Sequence, residues 1–125
     1  MRTMKGYVEL FVLPVPKKNL PAYCRISQRF GKLLKEYGAL EYREFLGVDL
    51  KVQGMTAFPS NIKLRPGEVL VSAVLGFRSK KHRDQAHRRL QGDPRAKRLF
   101  KEYNEHPLTD SKRTLYGGFA TIVKV

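Results

Sequence analysis

The segment from Glu68 to Phe77 restricts the fold of this chain more than any other feature. Every residue after Glu68 in this segment is apolar or small. Because successive side chains of a β-strand point to opposite faces of a sheet, this composition predicts a strand that is apolar on both faces. Such a strand belongs in the centre of a sheet. We therefore expect a sheet with helices on one face and a second covering layer on the other.

Three further segments have the composition of β-strands. Tyr7–Val15 and Ala39–Leu46 are rich in β-branched and aromatic residues or alternate in strand fashion. Thr114–Val125 is the last predicted strand, and it contains Gly117 and Gly118. Glycine inside a strand indicates a bulge or the close approach of another group.

Three helices are predicted between these strands. The first has Pro21 in its first turn and ends at Gly38, and its apolar residues recur at helical spacing. The second begins after a capping residue, Ser79, and continues to about Gln91. The third begins at the pair Asp93-Pro94, which combines a cap with a first-turn proline.

The order of the elements predicts an α+β fold of the ferredoxin-like type, βαββαβ, with a four-stranded antiparallel sheet. Residues 1–125 are expected to form a single domain. Between the second and third strands, Gly47–Pro66 has no clear period, and we expect only a short extended piece over Ala57–Ile62.

The third strand also predicts how the molecule assembles. Val69, Val71, Ala73 and Leu75 fall on one face of this strand, whereas Leu70, Ser72 and Val74 fall on the other. Since both sets are too apolar for contact with water, the face without helices needs a partner. The simplest partner is a second copy packed sheet to sheet, which predicts a homodimer of the dimeric α+β barrel kind.

The formal net charge of +14 is the most unusual number in the composition. Half of it lies in the span Arg78–Arg113, which has 12 Lys or Arg against 5 Asp or Glu. An excess of this kind favours polyanionic partners, so a basic module that binds nucleic acid weakly and without sequence specificity is one alternative. Phe100 and Tyr103 are expected to face inward, which leaves this alternative without exposed stacking aromatics. A structural dimer without any ligand is another alternative.

Other functional classes are disfavoured by the sequence. No stretch approaches the roughly 18 apolar residues that a membrane span requires, so we expect no membrane contact. Cys24 is the single cysteine, which excludes an internal disulfide and favours the reducing cytoplasm. His82 and His87 are five positions apart, not three or four as helical ligand pairs usually are, so with His106 they predict no metal site. No other cofactor is expected.

Six residues are candidates for a ligand-binding pocket. Arg83 lies on the sheet-facing side of the second helix, where a guanidinium needs an acidic partner, and both Glu44 and Asp84 are suitable. His82 precedes it and has the ordinary chemistry of an acid–base group. Aromatic residues on strands two and four are expected to line a space between the sheet and its partner sheet: Tyr42, Tyr116 and Phe119. The same residues also suit a salt bridge and ordinary core packing.

The chain also resembles a known family. The C-terminal part of the pattern consists of Phe77-Arg78-Ser79-Lys80, Arg83-Asp84, Gly92-Asp93-Pro94-Arg95, Asp110, Lys112-Arg113, Tyr116-Gly117-Gly118-Phe119 and Ile122-Val123. The segments before Phe77 that fit the same pattern are Tyr23, Lys35-Glu36-Tyr37-Gly38-Ala39-Leu40 and Pro66-Gly67-Glu68. This pattern is similar to the YbaA-like family of small bacterial proteins of unknown function. The resemblance covers almost the whole chain and implies a dimeric α+β barrel. It implies no catalytic residues, so the expected function is small-molecule binding or an enzyme activity that the sequence does not identify.

Overall fold

The computed structural model describes residues Met1–Val125. Four strands are present: β1 (Tyr7–Pro16), β2 (Glu41–Leu46), β3 (Glu68–Phe77) and β4 (Leu115–Ala120). The α-helices are α1 (Leu20–Glu36), α2 (Phe58–Ile62), α3 (Lys80–Gly92) and α4 (Pro94–Glu105).

The strands form one antiparallel sheet in the order β2-β3-β1-β4. β1 and β3 pair along their whole length, from Tyr7 opposite Phe77 to Pro16 opposite Glu68. This order and the alternation of strands and helices confirm the predicted ferredoxin-like α+β fold. β3 has the predicted bounds and lies at a central position, because its apolar side chains exclude it from an edge.

The two faces of the sheet follow from the register. Glu9 pairs with Leu75 and Phe11 pairs with Ala73, so these residues share one face. Helices α1, α3 and α4 pack on that face and bury a common core. Its largest contributors are Leu33, Leu34, Leu75, Phe77, Leu90 and Leu99.

The start of α3 is held by two capping side chains. The Ser79 Oγ accepts a hydrogen bond of 3.0 Å from the backbone N–H of His82. The His82 Nδ1 in turn accepts one of 3.0 Å from the backbone N–H of Arg78. Burial, aided by the charge of Arg78, lowers the pKa of His82, which keeps Nδ1 free to accept this bond. His82 is therefore a structural residue at the helix start.

Two local predictions are corrected by the structure. The segment expected to be extended over Ala57–Ile62 forms the helix α2 instead, and Pro59 occupies its first turn, where a missing N–H costs nothing. The last strand ends at Ala120 rather than Val125, because Ala120 lies opposite Tyr7, where β1 begins. The strand has no bulge, but a Cβ on Gly118 would lie 1.8 Å from the Tyr7 hydroxyl. The glycine therefore permits the predicted close approach.

The opposite face of the sheet carries mostly apolar side chains. Val8, Leu10, Val12 and Val74 are half-buried there. Larger side chains at its margins are more exposed: Phe45 (39%), Leu115 (53%) and Phe119 (53%). We call these seven residues the uncovered face. None of the helices combines the length and the apolar character that crossing a membrane requires.

Candidate functional site

A cleft of about 420 Å³ opens between α1, α4, the loop after α4 and the helix-covered face of the sheet. Nine of its fourteen lining residues are hydrophobic, and most of these are aromatic. A smaller apolar space of about 150 Å³, bounded by Phe11, Ala73 and Leu75, continues inward beneath it. The lining residues of the cleft are Leu13, Tyr23, Ile26, Ser27, Phe30, Tyr42, Glu44, Phe100, Tyr103, Leu108, Thr109, Ser111, Thr114 and Tyr116.

One carboxylate and three hydroxyl groups form a hydrogen-bonded cluster at the α1 side of the cleft. Glu44 projects from β2 and accepts hydrogen bonds from the hydroxyls of Tyr23 and Ser27 on α1. The Tyr42 hydroxyl lies 2.9 Å from the Ser27 Oγ. Tyr23 and Ser27 are one helical turn apart, so they present their hydroxyls to β2 from the same face of α1. We call these four residues the Glu44 cluster.

Both tyrosines of this cluster remain protonated at neutral pH. Burial raises the pKa of Tyr42 to about 12. Burial, together with the negative charge and hydrogen bond of Glu44, raises the pKa of Tyr23 further. Each phenol therefore keeps its single hydroxyl proton.

The outer wall of the cleft is the loop that follows α4. Asn19 and Arg113 hold this loop in place, together with a hydrogen bond between the hydroxyls of Tyr103 and Thr109. The Asn19 side-chain amide donates a hydrogen bond of 3.1 Å to the backbone oxygen of Leu108. Arg113 donates to both carboxylate oxygens of Glu68, at 2.5 and 2.8 Å, and to the backbone oxygen of Lys63 at 3.0 Å. The bidentate pair fixes the direction of the loop as well as its position.

A second polar cluster surrounds Glu9, whose side chain is only 2% exposed. The His87 Nε2 lies 2.5 Å from one carboxylate oxygen of Glu9. The other oxygen accepts hydrogen bonds from Arg83 Nη2 at 3.1 Å and from the Tyr116 hydroxyl at 2.7 Å. Arg83 also donates to Asp84 at 3.0 Å. These contacts join β1, α3 and β4. We call the residues that make them the Glu9 cluster: Glu9, Arg83, Asp84, His87 and Tyr116.

The Glu9 cluster keeps its central carboxylate ionised. Burial alone would raise the pKa of Glu9, but the hydrogen bonds from His87, Arg83 and Tyr116 outweigh this effect and lower it to about 2. The Tyr116 ring packs on Phe11, with ring centroids 4.8 Å apart, and also lines the cleft. Tyr116 therefore belongs to the Glu9 cluster and is also part of the wall of the cleft.

The structure brings three of the six predicted pocket residues together: Tyr42, Glu44 and Tyr116 line the cleft. Arg83 lies beside it, with Nη2 3.2 Å from the Tyr116 hydroxyl. Its acidic partners are Glu9 and Asp84, and Glu44 is bound instead by hydroxyls of α1.

The remaining two predicted residues lie elsewhere. His82 is buried at the start of α3, where it caps the helix. Phe119 lies on the uncovered face, because residues three apart in a strand, such as Tyr116 and Phe119, point to opposite sides of the sheet. From the sequence, Tyr42 and Tyr116 were expected in a space between two sheets, whereas in the structure they line a cleft between the helices and the sheet.

Three participants were missed by reasoning from the sequence: Glu9, Tyr23 and Ser27. The strand alternation does contain the signal for Glu9, since it shares the parity of Phe11 and Leu13 and therefore faces the helices. Ser27 follows Tyr23 by four positions within the apolar stripe of α1, which places its hydroxyl toward the sheet.

The fold is similar to solved structures of low sequence identity. A NIPSNAP family protein from Agrobacterium tumefaciens matches with a TM-score of 0.57 at 13% identity, over 98% of this chain and 90% of that chain. SnoaB, a cofactor-independent oxygenase from Streptomyces nogalater, matches with a TM-score of 0.52 at 12% identity, over 98% of both chains. At these identities the likeness shows the fold alone.

The sequence has closer relatives. The uncharacterized protein YbaA of Escherichia coli strain K12 is 34% identical over 117 residues, which cover 94% of this chain and 97% of that protein. The Shigella flexneri protein of the same name has the same identity and coverage. These relatives confirm the predicted resemblance to the YbaA-like family. Residues 6–108 also match the model of a protein family of unknown function, DUF1428, and the chain therefore belongs to the DUF1428 family.

Proposed function

We propose that the protein is a homodimer in which each subunit binds a small, mostly apolar molecule in the cleft. The observation that carries this proposal is the cleft itself, which combines aromatic walls with a hydrogen-bonded group of polar side chains, the Glu44 cluster. Ligand sites usually combine an apolar cavity of about 300–1,000 Å³ with a few polar groups that fix the orientation of the ligand. A volume of about 420 Å³ falls within that range.

Binding in the cleft is tested with Nile red, an uncharged apolar dye whose fluorescence rises when it leaves water. We expect saturable binding to the wild-type protein. Leu108→Trp places an indole at the mouth of the cleft and should weaken binding at least about tenfold, which corresponds to about 1.4 kcal/mol. Leu40→Trp is the matched control, because Leu40 is 56% exposed and does not line the cleft. Equal affinities for both variants would contradict the proposal.

The dimer is supported by the uncovered face. Its side chains are apolar, and a sheet packed on a second copy of itself would bury Leu10, Val12 and Val74 from both subunits. Two charged residues of β2, Glu41 and Arg43, lie on the same side of the sheet, and their side chains pair with each other at 3.3 Å. The exposed Cys24 has no partner cysteine, which supports our further proposal that the dimer works in the cytoplasm.

Light scattering after size-exclusion chromatography tests the dimer. We expect the wild-type protein to have about twice the chain mass of 14.4 kDa at micromolar concentration. Leu10→Glu introduces a carboxylate into the centre of the uncovered face and should give a monomer. Gln91→Glu, on the exposed side of α3, should leave the mass unchanged. A monomeric wild-type protein would refute the dimer while leaving the cleft untouched.

A further inference from the structure

We propose that the cleft selects ligands that carry a protonated amine on an aromatic or aliphatic body. This inference rests on the proposed function, because it names the class of molecule that the cleft binds. It follows from three independent properties of the cleft: the direction of its hydrogen bonds, the sign of its charge and the composition of its walls.

The hydrogen bonds of the Glu44 cluster leave only acceptors for a ligand. Each hydroxyl group has a single proton to donate, and a carboxylate has none. Tyr23 and Ser27 donate theirs to Glu44. Since the proton of Ser27 is committed, the contact of 2.9 Å between Ser27 and Tyr42 must be donated by Tyr42. The unused capacity of this cluster consists of oxygen lone pairs, so a ligand group that contacts the cluster has to supply the N–H or O–H donors.

The charge of the cleft favours a cationic ligand over an anionic one. Glu44 is the one Asp, Glu, Lys, Arg or His among its fourteen lining residues. This is unexpected in a chain with 25 Lys and Arg against 11 Asp and Glu, because a site for phosphates or carboxylates would draw on that excess. An anionic ligand would lie against a carboxylate in a largely apolar space, which is unfavourable, whereas an ammonium group would be paired there.

The walls of the cleft suit the same ligand. The rings of Phe30 and Phe100 pack with their centroids 4.7 Å apart on the side of α1 and α4. Tyr23, Tyr42 and Tyr103 complete the aromatic lining around the Glu44 cluster. Aromatic faces attract cations and also pack against the apolar body of a ligand. An amine on a planar ring would thus use both the carboxylate and the walls.

The test compares three probes with the same ring: naphthylmethylamine, naphthylmethanol and naphthoate. Their affinities are measured at neutral pH by displacement of Nile red from the wild-type dimer. We expect the amine to bind about tenfold more tightly than the alcohol, because its hydrogen bonds to the carboxylate are charge-assisted. Naphthoate should not compete.

Glu44→Gln removes the negative charge and should lower the affinity for naphthylmethylamine to that for naphthylmethanol. Binding of naphthylmethanol, retained within about twofold, shows that this variant is folded. Glu41→Gln is the matched control, since Glu41 lies on the same strand but outside the cleft, and it should retain the preference for the amine.

Two results overturn the inference. If the alcohol and the amine bind equally well, or if the preference survives Glu44→Gln, the cleft binds small molecules but does not select cations. If no probe displaces Nile red and Leu108→Trp leaves the binding of Nile red unchanged, the proposed function fails as well.

Discussion

Glu9 is a negative charge inside the fold, and its neighbours account for its stability there. Its side chain is almost fully buried, so it has lost most of its hydration. Arg83, His87 and the Tyr116 hydroxyl replace that hydration with three hydrogen bonds. A buried ion pair is often no more stabilising than an apolar replacement, but removal of one partner is costly. Glu9 therefore acts as a structural link between β1, α3 and β4.

We expect Glu9→Gln to destabilise the protein by about 3 kcal/mol at neutral pH. A carboxyl group whose pKa falls from about 4 in the unfolded chain to about 2 in the fold contributes roughly this amount. Because the folded pKa is the lower of the two, the contribution is complete above about pH 4 and is lost as the pH falls through about 2. Urea unfolding at a series of pH values measures the difference between variant and wild type.

The control for this experiment is Glu105→Gln at the end of α4, where the side chain is exposed. It should change the free energy of unfolding by less than about 0.5 kcal/mol. A Glu9→Gln difference that stays constant from pH 7 to pH 2 would show that the effect arises from packing and not from the carboxylate charge.

At the scale of single elements, an ion pair attaches the loop after α4 to the sheet. Arg113 binds Glu68 with both guanidinium nitrogens, and this contact lowers the pKa of Glu68 to about 2. Glu68 also accepts a hydrogen bond of 2.7 Å from the backbone of Arg65. The loop is thereby attached to the start of β3, which is one of the most firmly paired segments of the sheet.

We expect Arg113→Gln to loosen the loop and to weaken Nile red binding, because Leu108 and Thr109 would then be held only by Asn19 and Tyr103. Amide hydrogen exchange across residues 106–114 should accelerate, while exchange in β3 should remain slow. Lys112→Gln removes the same charge from the adjacent position, where the side chain is exposed, and should change neither property. Unchanged exchange in Arg113→Gln would show that the contacts from Asn19 and Tyr103 are sufficient to hold the loop.

The elements differ in how far the sequence predicts them, and the reason is the range of the interactions that define them. β3, the cap at Ser79 and the helix start at Asp93-Pro94 depend on residues that are neighbours in sequence, and all three appear as predicted. The end of β4 depends on where β1 begins, which no local pattern encodes. The cleft likewise joins residues from Leu13 to Tyr116, so periodicity placed Tyr42 and Glu44 on the right strand without identifying their partners on α1.

A large share of the molecule's positive charge lies on the outer surfaces of the helices. All lysine and arginine side chains of α3 and α4 except Arg83 are exposed, namely Lys80, Lys81, Arg88, Arg89, Arg95, Lys97, Arg98 and Lys101. Both aromatic residues of α4 were predicted to face inward. Tyr103 is half-buried, whereas Phe100 is 40% exposed. The Phe100 ring nevertheless packs against Phe30 at the cleft. Such a surface can bind the phosphates of a nucleic acid through its charge, but it has few groups that could contact the bases.

We expect the protein to bind nucleic acid only weakly and without sequence preference. If about five phosphates are neutralised, the affinity for a labelled duplex should fall as roughly the fourth to fifth power of the salt concentration. The double variant Arg88→Glu, Arg89→Glu should reduce binding at low salt more than Lys17→Glu, Lys18→Glu, which reverses two exposed charges outside α3 and α4. Tight binding at high salt, or a preference for one sequence, would instead indicate a dedicated nucleic-acid function.

The position of β1 between β3 and β4 has a consequence for biosynthesis. β1 emerges from the ribosome first, but both of its hydrogen-bonded edges and all three partners of Glu9 come from later segments. Until β4 has left the exit tunnel, the nascent chain exposes an unpaired strand edge next to a carboxylate that lacks the Tyr116 hydroxyl. The pairing of this edge and the hydrogen bond from Tyr116 to Glu9 therefore form only after β4 has become available.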